Sequence, residues 1–337
     1  MRAMVLNSTA SLNECRAPLE LTDMPRPAPG EREILIEVSV CGVCHTELDE
    51  IEGRTPPPQL PVVPGHQAIG RVVELGAGCS QYSPGHRVGV GWIHSSDGSL
   101  RENISESFRA TGRDANGGYA EFMTVPEAYA YPIPDVFTDQ EAAPLLCAGS
   151  VGYRALRLAG IEDGQVLGLT GFGGSGHLVL QLARHLYPHS PIYVFARSAK
   201  EQEFALELGA IWSGDTDDDP PQQAHAIIDT TPAWKPVLAA LERLRPGGRL
   251  VINAIRKEAQ DRDLMAAIRY EDHLWYEKEI KTVANVTGRD IAEFLPLAAS
   301  VPLRVKVQEY RLEEANQALL DLRESPVRGS KVLLIKQ

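Results

Sequence analysis

Little in this chain invites a disulfide, a polyanion or a membrane. It has five cysteines in 337 residues, at Cys15, Cys41, Cys44, Cys79 and Cys147, all in the first half. That is too few for a disulfide framework and suits a reducing compartment. Basic residues are scarce relative to acidic ones, 33 against 45, and the net charge is −12. A nucleic-acid partner needs a basic footprint, so none is expected. No run approaches the roughly 18 to 20 apolar residues of a spanning helix, and the N-terminus shows no apolar signal core. The expectation is a cytoplasmic protein with no membrane partner. Internal repeats and low-complexity segments are also missing.

What is present is a globular composition, 43% apolar and 23% charged, at a length that suggests about two domains. Two textures divide the chain. Up to about residue 131 it is rich in proline and glycine, with short apolar runs at 34–40, 70–75, 87–90 and 119–125 separated by turn residues. This predicts an irregular β domain. A polar stretch over 91–118 has little periodicity and is expected to be a surface lobe. From about residue 149 the pattern alternates. Strands are predicted at 165–170, 192–196, 226–229 and 249–253, with helices at 175–187, 199–208 and 236–244. Such alternation means βαβ units and a parallel sheet. The tail predicts a strand at 303–307, a helix at 312–323 and a strand at 331–335. The acidic run at 215–221 is expected to be a solvated connector.

Gly171, Gly173 and Gly176 fit G-x-G-x-x-G between a predicted strand and a predicted helix. In that setting the first glycine makes the turn. The second admits a pyrophosphate, and the third lets helix and strand pack closely. Gly174 and Ser175 lie in the same turn, at the helix N-terminus that faces the negative charge. The acid that binds an NAD ribose is expected about 20 residues further on. Ala196 stands there, followed by Arg197 and Ser198, with Lys200 close behind. A small residue leaves room for a 2′-phosphate, and Arg197 and Ser198 can donate to it. NADP(H) is therefore expected over NAD(H).

Cys41-Gly42-Val43-Cys44 is a C-x-x-C. It is open to three readings: a redox pair, half of a structural zinc site, or a single metal ligand at Cys44. The third gains weight from Pro64-Gly65-His66-Gln67 and from Leu146-Cys147-Ala148.

Taken together, CGVCHTEL at 41–48, PGHQAIGRVVELGAG at 64–78, GGYAEF at 117–122 and PLLCAGSVGYRAL at 144–156 are ordered motifs. With the glycine turn and LGA at 208–210, they make the chain resemble the zinc-dependent medium-chain alcohol dehydrogenases over nearly its whole length. The resemblance implies an α/β protein. A GroES-like catalytic domain would comprise residues 1–148 and 288–337, and a Rossmann domain residues 149–287. It implies a catalytic zinc held by Cys44, His66 and Cys147 with one position open, a donor set that suits tetrahedral zinc. It places Thr46 at the hydroxyl that contacts the substrate oxygen and Glu47 at the acid that orients His66. It places His45 near the pyrophosphate. Trp92 is expected to line the substrate pocket. A homodimer or homotetramer is implied as well.

Three departures from the family pattern stand out. Gln67 replaces a glutamate common beside the zinc-binding histidine, removing a negative charge. Asp49 stands where many members carry a proton-relaying histidine. Its ordinary pKa is ~3.9 against ~6.5 for histidine, so the pH profile is expected to differ. The stretch 91–118 has no cysteine, where many members hold a structural zinc with four. Hydroxyls replace thiolates poorly at zinc, so one zinc per chain is expected. The reaction expected is reversible hydride transfer between NADP(H) and a primary alcohol or aldehyde, as in an aldehyde reductase. The alternatives are a zinc-free quinone or enone reductase of the same superfamily and a non-catalytic NADPH-binding protein. Both sit poorly with the Cys44, His66 and Cys147 set.

Overall fold

The computed structural model describes residues 1–324 and 329–336. The chain forms two compact units, Met1–Cys147 with Val286–Ala299 and Val305–Gln337, and Ala148–Asn285 with Ser300–Arg304.

In the first unit the strands are β1 (Arg2–Leu6), β2 (Leu19–Asp23), β3 (Glu33–Val43), β4 (Ala68–Leu75), β5 (Arg87–Val90), β6 (Ile93–Ser95), β7 (Arg109–Ala110), β8 (Phe122–Pro126) and β9 (Ala130–Pro132). The helices α1 (His45–Ile51) and α2 (Asp139–Pro144) complete its first pass. β3 is its spine. Ile34, Ile36, Val38 and Val40 alternate along it and are all buried, a period-two pattern of β-branched residues that favours a strand over a helix. β4 pairs with β3 antiparallel along one edge, and β8 takes the first half of the other. The polar stretch 91–118 is more ordered than its sequence suggested. β6 and β7 pair there, and Glu102, Asn103 and Thr111 are buried.

The second unit contains α3 (Ser150–Ala159), β10 (Leu167–Thr170), α4 (Gly176–Leu186), β11 (Ile192–Phe195), α5 (Ala199–Glu207), β12 (Trp212–Gly214), β13 (Ala224–Asp229), α6 (Lys235–Arg243), β14 (Leu244–Ile252), α7 (Tyr270–His273) and β15 (Glu279–Thr282). Its six strands are all parallel, in the order β12-β11-β10-β13-β14-β15. Counted within the unit this is 3-2-1-4-5-6, the order of the dinucleotide-binding Rossmann fold. The central strands β10 and β11 are short and apolar because both faces are covered; all four residues of each are buried. Tyr193, Phe195, Ile227, Leu241 and Leu250 build its core.

The chain then adds α8 (Gly288–Ser300), β16 (Val307–Arg311), α9 (Ala315–Glu324) and β17 (Ser330–Leu334). β17 pairs with the second half of β3, Val332 opposite Gly42 and Leu333 opposite Cys41. The last strand thus holds the segment that delivers Cys44. The strand expected at 303–307 begins only at Val307, and a 3₁₀ turn at Leu312–Glu314 precedes the tail helix. Among the described residues no helix is long and apolar enough to cross a membrane.

Candidate active site

β3 ends at Val43, and Cys44 caps the helix that follows. Its sulfur accepts from the Thr46 amide at 3.4 Å, and Glu47 reaches back to the Cys44 amide at 2.9 Å. This reciprocal cap uses a thiol where a hydroxyl is usual. It fixes both the sulfur and the carboxylate of Glu47. The other oxygen of Glu47 lies 2.5 Å from His66 Nδ1, and both side chains are fully buried.

Cys147 arrives by a different route. Thr138 and Glu141 form a capping box that starts α2. Pro144 has no amide hydrogen to donate, and the chain widens into a π turn over Leu145–Gly149. Such single turns recur at functional sites because they re-aim one side chain. Here the turn carries Cys147 to the other two donors. The Cys44 and Cys147 sulfurs and a His66 ring nitrogen all lie within 4.8 Å of one another. Tetrahedral zinc with bonds of ~2.3 Å to sulfur and ~2.05 Å to nitrogen would separate such a donor pair by about 3.6 Å. Cys44 Sγ and His66 Nε2 are 3.7 Å apart. Two sulfurs, one nitrogen and this spacing fit a zinc ion.

The electrostatics follow from burial and neighbours. The hydrogen bond with Cys147 and then burial push the Cys44 thiol well above its ordinary pKa. Burial alone would lower His66, but the charges of Glu47 and Cys44 outweigh it and hold the imidazole well above its ordinary pKa. Burial would raise Glu47, yet His66 draws it below the usual carboxylate range.

Trp92, Asp49 and Gln67 were singled out from the sequence, but their contacts were not visible there, and Glu50 was missed altogether. Trp92 packs edge-on against the His66 ring, with centroids 4.9 Å apart. Asp49 is buried, and its carboxylate meets the Arg54 guanidinium at 2.5 Å, while Arg54 also binds Glu52 at 2.6 Å. Gln67 packs on Gly42, where a Cβ would meet its Oε1 at 2.6 Å. Glu50 is buried with neither carboxylate oxygen partnered among the described residues, and burial and then Glu47 push its pKa well up. Only the fold reveals these, because each depends on segments far apart in the chain or on the pitch of a short helix. Thr46 is buried beside Cys44, and His45 is exposed.

The glycine turn sits at the C-terminal end of β10. Gly171 has φ +80°, open to glycine at little cost. A Cβ on Gly176 would lie 2.7 Å from the Gly171 carbonyl oxygen, whereas a Cβ on Gly173 would meet nothing within 4 Å. The third glycine is thus needed for packing, and the second leaves open space. Gly174 and Ser175 complete the turn, with Ser175 at the N-cap of α4. At the end of β11, Ala196 is buried while Arg197 and Lys200 are exposed. Ser198 is committed locally. Its hydroxyl accepts from the Glu201 amide at 3.2 Å and donates to the Glu201 carboxylate at 2.8 Å.

Residues 30–135 match the family model of the alcohol dehydrogenase GroES-like domain. The sequence is 40% identical over 331 residues to "Probable alcohol dehydrogenase AdhA" of Mycobacterium tuberculosis, covering 94% of this chain and 93% of that one. It is 31% identical over 343 residues to an alcohol dehydrogenase of Geobacillus stearothermophilus, covering 97% and 99%. The fold is similar to that of the alcohol dehydrogenase of the hyperthermophilic archaeon Aeropyrum pernix. That similarity has a TM-score of 0.84 at 24% identity, over 99% of this chain and all of that one.

Proposed function

The chain belongs to the zinc-type medium-chain alcohol dehydrogenase family, and from that membership we propose a zinc-dependent aldehyde reductase that works with NADP(H). As an alcohol dehydrogenase it is an oxidoreductase of small-molecule alcohols and aldehydes. The reaction proposed is reversible hydride transfer between NADP(H) and a primary alcohol or aldehyde, with one zinc per chain. The observation that carries this reading is the convergence of Cys44, His66 and Cys147, with 3.7 Å between Cys44 Sγ and His66 Nε2.

Zinc bound there supplies Lewis-acid polarisation of the substrate oxygen, and the nicotinamide supplies or accepts the hydride. The chain's own residues do the rest. Cys44 and Cys147 as thiolates provide two negative charges, and His66 provides the neutral third donor. Glu47 accepts the His66 Nδ1 hydrogen, fixes the tautomer that leaves Nε2 free to ligate, and acts as a positioning residue. The Thr46 hydroxyl hands a proton to the product oxygen in reduction and takes it back in oxidation. Asp49, held against Arg54, would be the carboxylate that accepts or returns that proton. Trp92, packed on the ligand imidazole, borders the substrate.

The cofactor is proposed to lie along the Gly171–Gly176 turn, its pyrophosphate over Gly173, where no side chain intrudes, and close to Gly174 and Ser175. Ala196 leaves space for a 2′-phosphate, and Arg197 and Lys200 offer it exposed positive charge. The local commitment of Ser198 assigns more of this task to Arg197 than the sequence alone suggested. An exposed edge strand, β15, which carries exposed Ile280 and follows exposed Tyr270, Trp275 and Tyr276 in the chain, supports assembly into a homodimer or homotetramer. Five free cysteines support a cytoplasmic setting. A panel of aldehydes and alcohols, run with NADPH and NADH before and after metal removal, tests this reading. Turnover that survives metal removal, or prefers NADH, counts against it.

A further inference from the structure

The parallel sheet has a second edge that hydride transfer does not use. At the N-terminal ends of β10, β13 and β14, opposite the glycine turn, lies a cavity of about 350 Å³. Gly160, Gln165, His225, Arg245, Gly247 and Arg249 line it. Two arginines and an imidazole gather around this one hollow in a chain of net charge −12.

The hydrogen bonds there do not balance. The Val166 amide points at His225 Nδ1 from 3.0 Å, and Arg245 Nη1 lies 2.6 Å from His225 Nε2. An amide N–H and a guanidinium only donate, and an imidazole ring always keeps at least one N–H. Whichever tautomer His225 adopts, one of the two contacts sets a donor against a donor. Protonating the ring makes this worse, and burial and then Arg245 hold its pKa below the ordinary value. The Val166 amide is fixed by the backbone entering β10. With Nδ1 accepting from it, the Nε2–H faces Arg245.

Two or more acceptor oxygens between Nε2 and the guanidinium remove the conflict. One accepts from His225 and another from Arg245, whose side chain is exposed and able to turn. Arg249 adds a positive charge held in place, with Nε on Glu279 at 2.7 Å and Nη1 on the Leu158 carbonyl at 2.9 Å. Glu279 neutralises part of that charge, so Arg245 and His225 carry most of the recognition. We propose that this cavity binds a phosphate group, either free phosphate or the phosphate of a small monoester, at a site separate from the glycine turn. Its volume lies in the range of small-molecule pockets and leaves room for more than the bare ion.

The test is calorimetric titration of the full-length, NADPH-saturated protein with inorganic phosphate and with glycerol 3-phosphate, at ionic strength matched with chloride. Saturable binding is expected, weakened at least tenfold by Arg245→Gln. That exposed substitution leaves cofactor binding unchanged. In the wild-type protein the ¹⁵N signal of His225 Nε2 should shift as phosphate is added. Tighter binding of glycerol 3-phosphate points to a monoester, and equal binding points to the free ion. The proposal is overturned by no saturable binding, by equal binding in R245Q, by a still Nε2 signal, or by complete competition from NADPH.

Discussion

Glu47 ties two members of the donor set together: one oxygen accepts from the Cys44 amide at 2.9 Å, and the other lies 2.5 Å from His66 Nδ1. A carboxylate in that position forces the imidazole proton onto Nδ1 and turns the Nε2 lone pair towards the cysteines. Replacing Glu47 by Gln keeps the shape and removes the charge. Zinc affinity, read by competition with a chromogenic chelator, should fall about 10- to 100-fold. Unchanged affinity would remove Glu47 from this role.

Metal uptake should follow proton competition. The Cys44 thiol and the His66 imidazole both hold their protons above their ordinary pKa values before a cation enters. Each must lose its proton to ligate, so acid opposes binding and alkali favours it. Apparent zinc affinity should rise with pH, by about tenfold per unit for each proton displaced. Elemental analysis of the loaded protein should return one zinc per chain, because the stretch 91–118 offers serines and no cysteine. Two zincs would refute the count.

The two glycines of the turn should fail in different ways. Gly176→Ala drives a Cβ to 2.7 Å from the Gly171 carbonyl oxygen, so the melting temperature should drop. Gly173→Ala meets open space within the protein. Its fold should persist while the cofactor KM rises tenfold or more, because the Cβ fills the place proposed for the pyrophosphate. Equal cofactor KM in Gly173→Ala and wild type would take the cofactor away from this turn.

Cofactor choice should hinge on the end of β11. Arg197→Ala removes a charged donor, and bonds to charged groups contribute about 1.5 to 3 kcal/mol. kcat/KM for NADPH should therefore fall about 10- to 100-fold while that for NADH changes little. Ala196→Asp should go further and invert the preference, through repulsion of a 2′-phosphate. Parallel losses with both cofactors would show that Arg197 does not select.

Asp49 is buried against Arg54 at 2.5 Å. If it passes the proton, Asp49→Asn should reduce kcat and remove one limb of the pH–rate profile. Arg54→Met removes the partner that holds the Asp49 carboxylate in place, so kcat should fall there as well. A profile that keeps its shape in Asp49→Asn would take Asp49 out of the relay.

The fold class could be read from the chain because its signals are local. The alternation of short apolar strands with helices after residue 149 sets the parallel sheet. The β-branched run at 34–40 likewise sets the spine of the other unit. Where sequence reasoning fell short, distant segments decided the outcome. Residues 91–118 lack periodicity, yet β6 finds β7 and buries Glu102 and Thr111 around it. The strand near residue 303 starts at Val307 because it pairs with β17, a choice no local pattern records.

At the site the same division holds. The sequence by itself determined the chemistry on offer: which three residues can ligate a metal, which glycines can turn, and where an acid is missing after β11. Only the tertiary structure decided how those groups meet. The π turn after Pro144 carries Cys147 to Cys44 and His66 across a sequence gap that no spacing rule bridges. Arg54 closes on Asp49, and Trp92 stands edge-on to His66. Ser198 spends its hydroxyl on its own helix cap. Donor types are fixed residue by residue, but distances and competing partners arise only when the chain packs.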